Sequence, residues 1–148
     1  MTNAPAATSP PLTDDAVRRL VDAFDAASLP QAEWTHAAHI TVATAHVFRD
    51  PAQALDRLRA GIRRLNAAHG LVETSTRGYH ETLTRFYTWA VAREVRAAPA
   101  GLGLGALATR VVEALTDRNV PLRHYSRERL MSPAARAGWV EPDLAPLD

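Results

Sequence analysis

The chain has 148 residues, enough for one domain with a hydrophobic core of its own. It contains no cysteine, so disulfide bonds, iron–sulfur clusters, thiolate-bound zinc and a cysteine nucleophile are excluded, and a bound metal would need His, Asp or Glu ligands. The 17 basic and 16 acidic residues give a net charge of +1, which makes no overall case for nucleic acid or an anionic membrane as a partner.

Residues 1–12 are rich in Ala, Pro, Ser and Thr. They include neither a basic stretch nor a long apolar run, so they predict neither a signal peptide nor a membrane span. We therefore expect a disordered N-terminal lead over residues 1–12, a single helical domain over residues 13–148, and a cytoplasmic protein.

Two helices are predicted in the first third of the domain. Thr13 followed by two aspartates is typical of a helix start. Apolar residues then recur at helical spacing, at Val17, Leu20, Val21, Phe24 and Ala27. Pro30 ends this helix, because the residue before a proline is kept out of the α region. Thr35 is the expected cap of a second helix that runs to about Phe48.

Clear start and stop residues predict two further helices. Asp50 and Pro51 form a cap followed by proline at the first helical position, and Gly70 is placed to end that helix. Its arginines fall away from the apolar positions, which predicts a solvent-facing basic surface. A fourth helix is expected from about Tyr79 to Ala97.

A fifth helix is predicted from Leu104 to Thr116, and two shorter ones begin at Ser126 and at Ser132. Trp139 is expected to fold back onto the core. Strand signals are nearly absent, since helix-forming residues dominate and alternation never persists. The fold class is therefore all-α, a compact bundle of four to five helices with a short helical C-terminal arm.

Three histidines predict a metal site. His36 and His39 are three residues apart at the start of the second helix, a spacing that puts both rings on nearly the same face. Helical bundles build metal sites from facing helices, so His80 on the fourth helix is the expected third ligand. Glu81 would be the fourth ligand or an acid/base group. The cofactor would be a divalent metal ion, and Fe, Cu, Mn and Zn all suit such a site.

The function expected from this site is that of a small metal-dependent enzyme acting on a small molecule. Iron or copper would favour an oxidase or oxygenase, whereas zinc would favour hydrolysis or lyase chemistry through a bound water. The expected catalytic residues are His80, Glu81 and Tyr79. The expected substrate-binding residues are Tyr87, Tyr125, Arg127 and Trp34.

Several alternatives stay open. Without metal, His80 would be a general base oriented by Glu81 or Glu33, with Tyr79 or Tyr87 as proton donor. A non-catalytic module that binds a small ligand or a partner protein through the same pocket keeps the histidines as structural residues. The basic segment 123–127 either holds an anionic group or forms a solvated arm.

The expected partner is a small-molecule substrate, with neither nucleic acid nor membrane involved, and a homodimer stays open. Nucleic-acid binding through the arginines of the third helix is the weakest alternative, since no aromatic residues are interleaved with them. His46 is excluded from the metal shell, because seven residues of helix separate it from His39 by about 10 Å.

Motifs across the chain resemble an uncharacterised family of small bacterial helical proteins. The motifs are W-T-H-A-A-H at 34–39, G-Y-H-E-T-L-T at 78–84, Tyr125-x4-Leu130-x-Ser132-x3-Arg136, and Pro142-Asp143. The resemblance spans about Leu29 to Asp143 and implies a compact helical protein, with no reaction or ligand attached. Members often carry an acidic residue at the position of Ala38 and a histidine at that of Thr35. These departures leave the three-histidine shell intact.

Overall fold

The computed structural model describes residues 10–148, and residues 1–9 of the predicted lead lie outside the described residues. Seven α-helices occur in the described range: α1 Asp14–Asp25, α2 His36–Arg49, α3 Ala54–Ala68, α4 Glu81–Ala97, α5 Leu104–Ala114, α6 Arg127–Leu130 and α7 Pro133–Ala137. Short 3-10 helices lie at Gln31–Glu33 and Val120–Arg123. Strand-type pairing over residues 10–148 is limited to one isolated bridge between Thr74 and Arg77.

The all-α prediction is confirmed, with α1 to α5 as the bundle and α6 and α7 as the C-terminal arm. The total is slightly more than the four to five helices expected, since the arm itself forms two short helices. No helix among residues 10–148 is long and apolar enough to cross a membrane.

Side-chain caps set the helix starts where the sequence predicts them. The Thr13 hydroxyl accepts a hydrogen bond from the Ala16 N–H at 3.1 Å, and Thr35 does the same for Ala38 at 3.2 Å. These bonds satisfy N–H groups that have no partner inside the helix. Ser126 and Ser132 cap α6 and α7 in the same way. These four predicted caps are confirmed, whereas the one predicted at Asp50 is wrong, since Gln53 is the N-cap of α3 and makes no side-chain cap bond.

Helix α2 is the centre of the bundle and contacts α1, α3, α4 and α5. Every residue from Ile40 to Val47 is buried, so the helix has no solvent-facing side over these two turns. The two threonines in this stretch satisfy their hydroxyls locally: Thr41 donates to the Ala37 carbonyl and Thr44 to the Ile40 carbonyl, each at 2.7 Å. Because both threonine hydroxyls are bonded within α2 itself, they can be buried where the four neighbouring helices pack against it.

The predicted start of α3 is wrong by three residues. The Gln53 N–H donates to the Asp50 carbonyl at 3.1 Å and closes a turn over residues 51–53, so the helix begins only at Ala54. The predicted end is confirmed. Gly70 has a φ of +75°, and Leu71 N–H donates to the Asn66 carbonyl at 2.9 Å, as in a Schellman motif.

Two other boundaries differ from the prediction. Helix α4 begins at Glu81 rather than Tyr79, because His80 has an extended backbone and acts as the cap. Helix α5 ends at Ala114 rather than Thr116, and Asp117 accepts a hydrogen bond from the Asn119 N–H at 2.9 Å in the turn that follows. Both differences place loop residues, rather than helical ones, at the edge of the site described below.

Leu12, which the sequence assigned to the lead, packs against the bundle. Its N–H donates to the Thr109 hydroxyl at 2.9 Å, and the chain there crosses α5 directly over Gly105, where a Cβ would meet backbone atoms of Leu12 and Thr13. At the other end, the Tyr125 hydroxyl donates to the Val140 carbonyl at 2.8 Å. Both contacts tie the outer segments to the bundle.

Candidate functional site

A cavity of about 670 Å³ lies among α2, α3, α4 and the α6–α7 segment. We call it the larger cavity. A smaller cavity of about 360 Å³ adjoins it, and the two share Trp34, His36, His39, Leu83, Tyr87 and Met131 as lining residues. Much of the larger cavity is lined by apolar side chains, including Ile40, Leu58 and Ile62. Apolar walls with a few polar groups are typical of small-molecule sites.

His39 lies where the two cavities meet. Its ring stacks on the Trp34 indole with 3.6 Å between centroids and 25° between planes, and Trp34 stacks in turn on the buried Phe24. Burial lowers the pKa of His39 to about 4, and the neighbouring charges of His36 and Arg118 add to this effect. The imidazole is therefore uncharged at neutral pH.

Three other histidines line the larger cavity and are each held by a backbone carbonyl. The Nε2 atoms of His36, His69 and His80 lie 2.8, 2.8 and 2.7 Å from the carbonyl oxygens of Leu115, Leu29 and Leu130. A carbonyl only accepts, so these contacts assign a proton to Nε2 of each ring. These hydrogen bonds attach the segments that carry Leu115, Leu29 and Leu130 to the helices that carry the histidines. Over residues 10–148, His39 makes no such bond with a protein group.

Both ring nitrogens of His80 are occupied. Besides the contact through Nε2, its Nδ1 accepts a hydrogen bond from the Leu83 N–H at 3.1 Å and caps α4. Burial lowers the pKa of the ring. The structure gives His80 a capping role, and its predicted metal and catalytic roles would each require one of these two hydrogen bonds to break.

Glu81 and Tyr79 belong to a closed ionic network. Arg59 donates to both carboxylate oxygens of Glu81, from Nε and Nη2, at 2.7 Å each, and the Tyr79 hydroxyl donates to the same carboxylate at 2.6 Å. The guanidinium holds the pKa of Glu81 below its usual value. Burial, with the bond to Glu81, raises the pKa of Tyr79 to about 12. The structure thus places Glu81 and Tyr79 in this network, with Tyr79 also lining the larger cavity, and their catalytic roles stay predictions.

Over residues 10–148, no three His, Asp or Glu side chains are arranged to hold a metal ion. The predicted shell of His36, His39 and His80 is not assembled, because His80 has no free nitrogen and Nε2 of His36 is bonded to the Leu115 carbonyl. That a divalent metal ion is bound stays a prediction, now without its ligand set.

The predicted substrate-binding residues divide into two groups. Trp34 and Tyr87 line both cavities, and Arg127 lines the smaller one. Burial raises the pKa of Tyr87 to about 12, so its hydroxyl stays protonated at neutral pH. Tyr125 lines neither cavity. It is fully buried against Phe86 and bonded to the arm, so its assignment to the pocket wall is wrong.

Sequence reasoning missed several residues of the site. The sequence does not single out His69, which ends the third helix and lines the larger cavity. Arg59 is one of the arginines expected at the solvent-facing surface, yet it binds Glu81. Arg118, in the turn after α5, lines the smaller cavity. The one sequence feature that could have indicated Arg118 is that it is a basic residue in a short turn after an apolar helix.

Comparisons with known proteins found no matching family model, no matching curated protein and no matching solved structure. The resemblance of the motifs at 34–39 and 78–84 to a family of small bacterial proteins therefore stays a prediction.

Proposed function

We propose that the protein is a small-ligand-binding helical module that holds an organic molecule in the larger cavity, with His39 as the polar group that the ligand meets. One observation carries the proposal. His39 lines both cavities and is held by stacking on Trp34 at 3.6 Å, while no hydrogen bond from residues 10–148 engages either of its ring nitrogens. The other histidines of the larger cavity are engaged with backbone carbonyls.

The surroundings of His39 suit a flat, largely apolar ligand. A neutral imidazole offers one donor and one acceptor, which fixes the orientation of a ligand without imposing a charge. The apolar walls would supply most of the binding free energy by removing ligand surface from water. The cavity volume of about 670 Å³ lies within the range of small-molecule sites.

The pKa of His39 favours binding over acid–base catalysis. A general base works best when its pKa lies near the pH at which the protein operates. A value of about 4 makes the ring a weak proton acceptor at neutral pH. Tyr87, with a pKa raised to about 12, is correspondingly a weak acid, and its hydroxyl stays protonated and able to donate a hydrogen bond.

The proposal is tested by a fragment screen followed by NMR of protein carrying ¹⁵N-labelled histidine. Fragments that bind the larger cavity should shift the imidazole nitrogen resonances of His39. The variant His39→Phe keeps a ring to stack on Trp34 and removes both nitrogens, so we expect fragment affinity to fall about tenfold, the loss of one hydrogen bond.

The matched control is His124→Phe, since His124 lines neither cavity. We expect this variant to bind the same fragments with the affinity of the wild type. If the fragments bind His39→Phe as tightly as the wild type, or leave the His39 resonances unmoved, the proposal is wrong.

A further inference from the structure

The smaller cavity carries a positive charge that the bundle does not neutralise. Arg118 follows α5 and Arg127 is the first residue of α6, and both line this cavity. Both residues are exposed, and over residues 10–148 neither has a carboxylate within ion-pair distance. The nearby Asp117 is engaged elsewhere, since it accepts from the Asn119 N–H at 2.9 Å and lies 3.7 Å from Arg123.

The residues that line the two cavities include no Asp and no Glu within the described part of the chain. A cationic ligand would therefore meet three arginines, Arg118 and Arg127 in the smaller cavity and Arg136 in the larger one, and no acidic side chain among the residues it touches. An anionic ligand would meet the opposite arrangement. Because opposite charges attract and unpaired charges are costly to desolvate, the charge pattern selects the sign of the ligand.

The charge of Arg118 acts on titratable groups inside the site. It contributes to the lowered pKa of His39, and at Tyr87 it offsets part of the rise in pKa that burial and Asp117 cause. Both residues lie on the wall shared by the two cavities. A ligand that touches His39 is thus within electrostatic reach of this guanidinium.

We propose that the ligand is an amphipathic anion, an inference that rests on the proposed function. A planar apolar body fills the larger cavity beside Trp34 and His39. A carboxylate or phosphate group binds Arg118 and Arg127 in the smaller cavity. Guanidinium groups present paired donors that match the oxygens of both anions, which gives orientation as well as attraction. The uncharged His39 contacts the apolar body of the ligand, so the apolar body and the anionic group of the ligand are bound by different residues.

The proposal is tested by calorimetry with four probes that share one naphthalene body. The anionic probes are 1-naphthoate and 1-naphthyl phosphate, the neutral probe is 1-naphthamide, and the cationic probe is 1-naphthylmethylammonium. We expect each anion to bind the wild type at least about tenfold more tightly than the amide, as charge-assisted bonds to arginine would give, and the cation to bind most weakly. Added salt should weaken only the anions.

Arginine variants locate the effect. The double variant Arg118→Gln/Arg127→Gln should bind the anions no more tightly than the amide and should leave amide affinity unchanged. Arg110→Gln is the control, since Arg110 is exposed and lines neither cavity. The substituted side chains are at the surface, and circular dichroism and melting temperature confirm that the variants fold.

The failure of this inference is distinguishable from that of the proposed function. Equal binding of anions and amide by the wild type, or an anion preference that survives in the double variant, would overturn the anion proposal while leaving a ligand cavity in place. Binding of none of the four probes would also overturn it, and the His39→Phe comparison with screened fragments then decides the proposed function separately.

Discussion

At the scale of single residues, the histidines that line the larger cavity are of two kinds, those whose ring is hydrogen-bonded to a backbone carbonyl and one whose ring is not. His36, His69 and His80 each lie within 2.8 Å of a carbonyl oxygen. We call each of these hydrogen bonds a brace, because it holds two segments of the chain together. His39 faces an indole instead. A brace keeps its ring fixed by hydrogen bonds, whereas a stacked ring keeps its nitrogens for other partners.

Loss of the His80 brace should destabilise the protein. His80→Ala removes the cap of α4 and leaves the buried Leu130 carbonyl without its donor. We expect the free energy of unfolding to fall by about 2–3 kcal/mol, from one cap and one unsatisfied carbonyl. His80→Asn, which restores the cap, should recover about 1 kcal/mol of this loss. Urea denaturation measures both, and equal losses in the two variants would contradict the capping role.

Removal of the Glu81 charge tests the buried ionic network. Glu81→Gln keeps the shape of the side chain but leaves Arg59 without its doubly bonded partner, although Arg59 also binds Asp56 at 2.8 Å. We expect a loss of about 2 kcal/mol, less than for a fully buried pair because Arg59 is 30% exposed. The control Asp15→Asn breaks an exposed pair with Arg18 and should change the stability little. Urea denaturation measures both variants, and equal effects would show that burial of Glu81 does not matter.

At the scale of the helices, the boundaries that the sequence predicts correctly depend on nearby residues. The caps of Thr13, Thr35 and Ser126 each bind an N–H three residues on, and Gly70 closes α3 with bonds to its own last turn. Local partners of this kind can be recognised in a sequence. The site depends on distant partners. His36 binds a carbonyl 79 residues away and Arg59 a carboxylate 22 residues away, and spacing along the chain indicates neither.

The close approach of α1 and α3 was also not evident from the sequence. A Cβ on Gly61 of α3 would overlap the ring of Phe24, which is fully buried on α1. Glycine in the middle of a helix costs about 1 kcal/mol relative to alanine. Its presence there is explained by the space that the Phe24 ring occupies.

Gly61→Ala should therefore destabilise the protein despite the better helix propensity of alanine. The added methyl group pushes the Phe24 ring against Trp34, on which it stacks at 5.2 Å. We expect a net loss of about 1–3 kcal/mol, the usual range for overpacking. Gly138→Ala is the matched control, because nothing lies within 4 Å of the added Cβ and the backbone there is extended. Thermal unfolding of both variants decides, and a stabilised Gly61→Ala would contradict the close packing.

At the scale of the whole molecule, the fold keeps several histidines uncharged in its interior. Burial lowers the pKa of His39, His46 and His80, and at His46 the carboxylate of Asp25, 3.4 Å away, opposes this effect without reversing it. In the unfolded chain these rings return to pKa values near 6.5. Folding and protonation are therefore linked.

The sign of the linkage follows from which state binds more protons. Below about pH 6.5 the unfolded chain protonates these histidines while the folded protein holds them neutral, so the unfolded state gains and stability falls with falling pH. The contribution is fully present above pH 6.5 and declines until the folded groups protonate, at about pH 4 for His39. Each histidine adds at most about 1.4 kcal/mol per pH unit to this slope.

Acid titration of stability by urea denaturation should separate two windows. His39→Phe should reduce the slope between pH 6.5 and pH 4 and leave the more acidic limb unchanged. Glu81→Gln should lower the stability throughout but change the slope only below about pH 4.5, because a carboxylate whose pKa is lowered by Arg59 contributes stability above its ordinary value of 4.5 and loses it as pH falls. A His39→Phe protein with the slope of the wild type would show that folding does not lower the pKa of this ring, which would then gain a proton near pH 6.5 in the folded protein as well and offer ligands a neutral acceptor only above that pH.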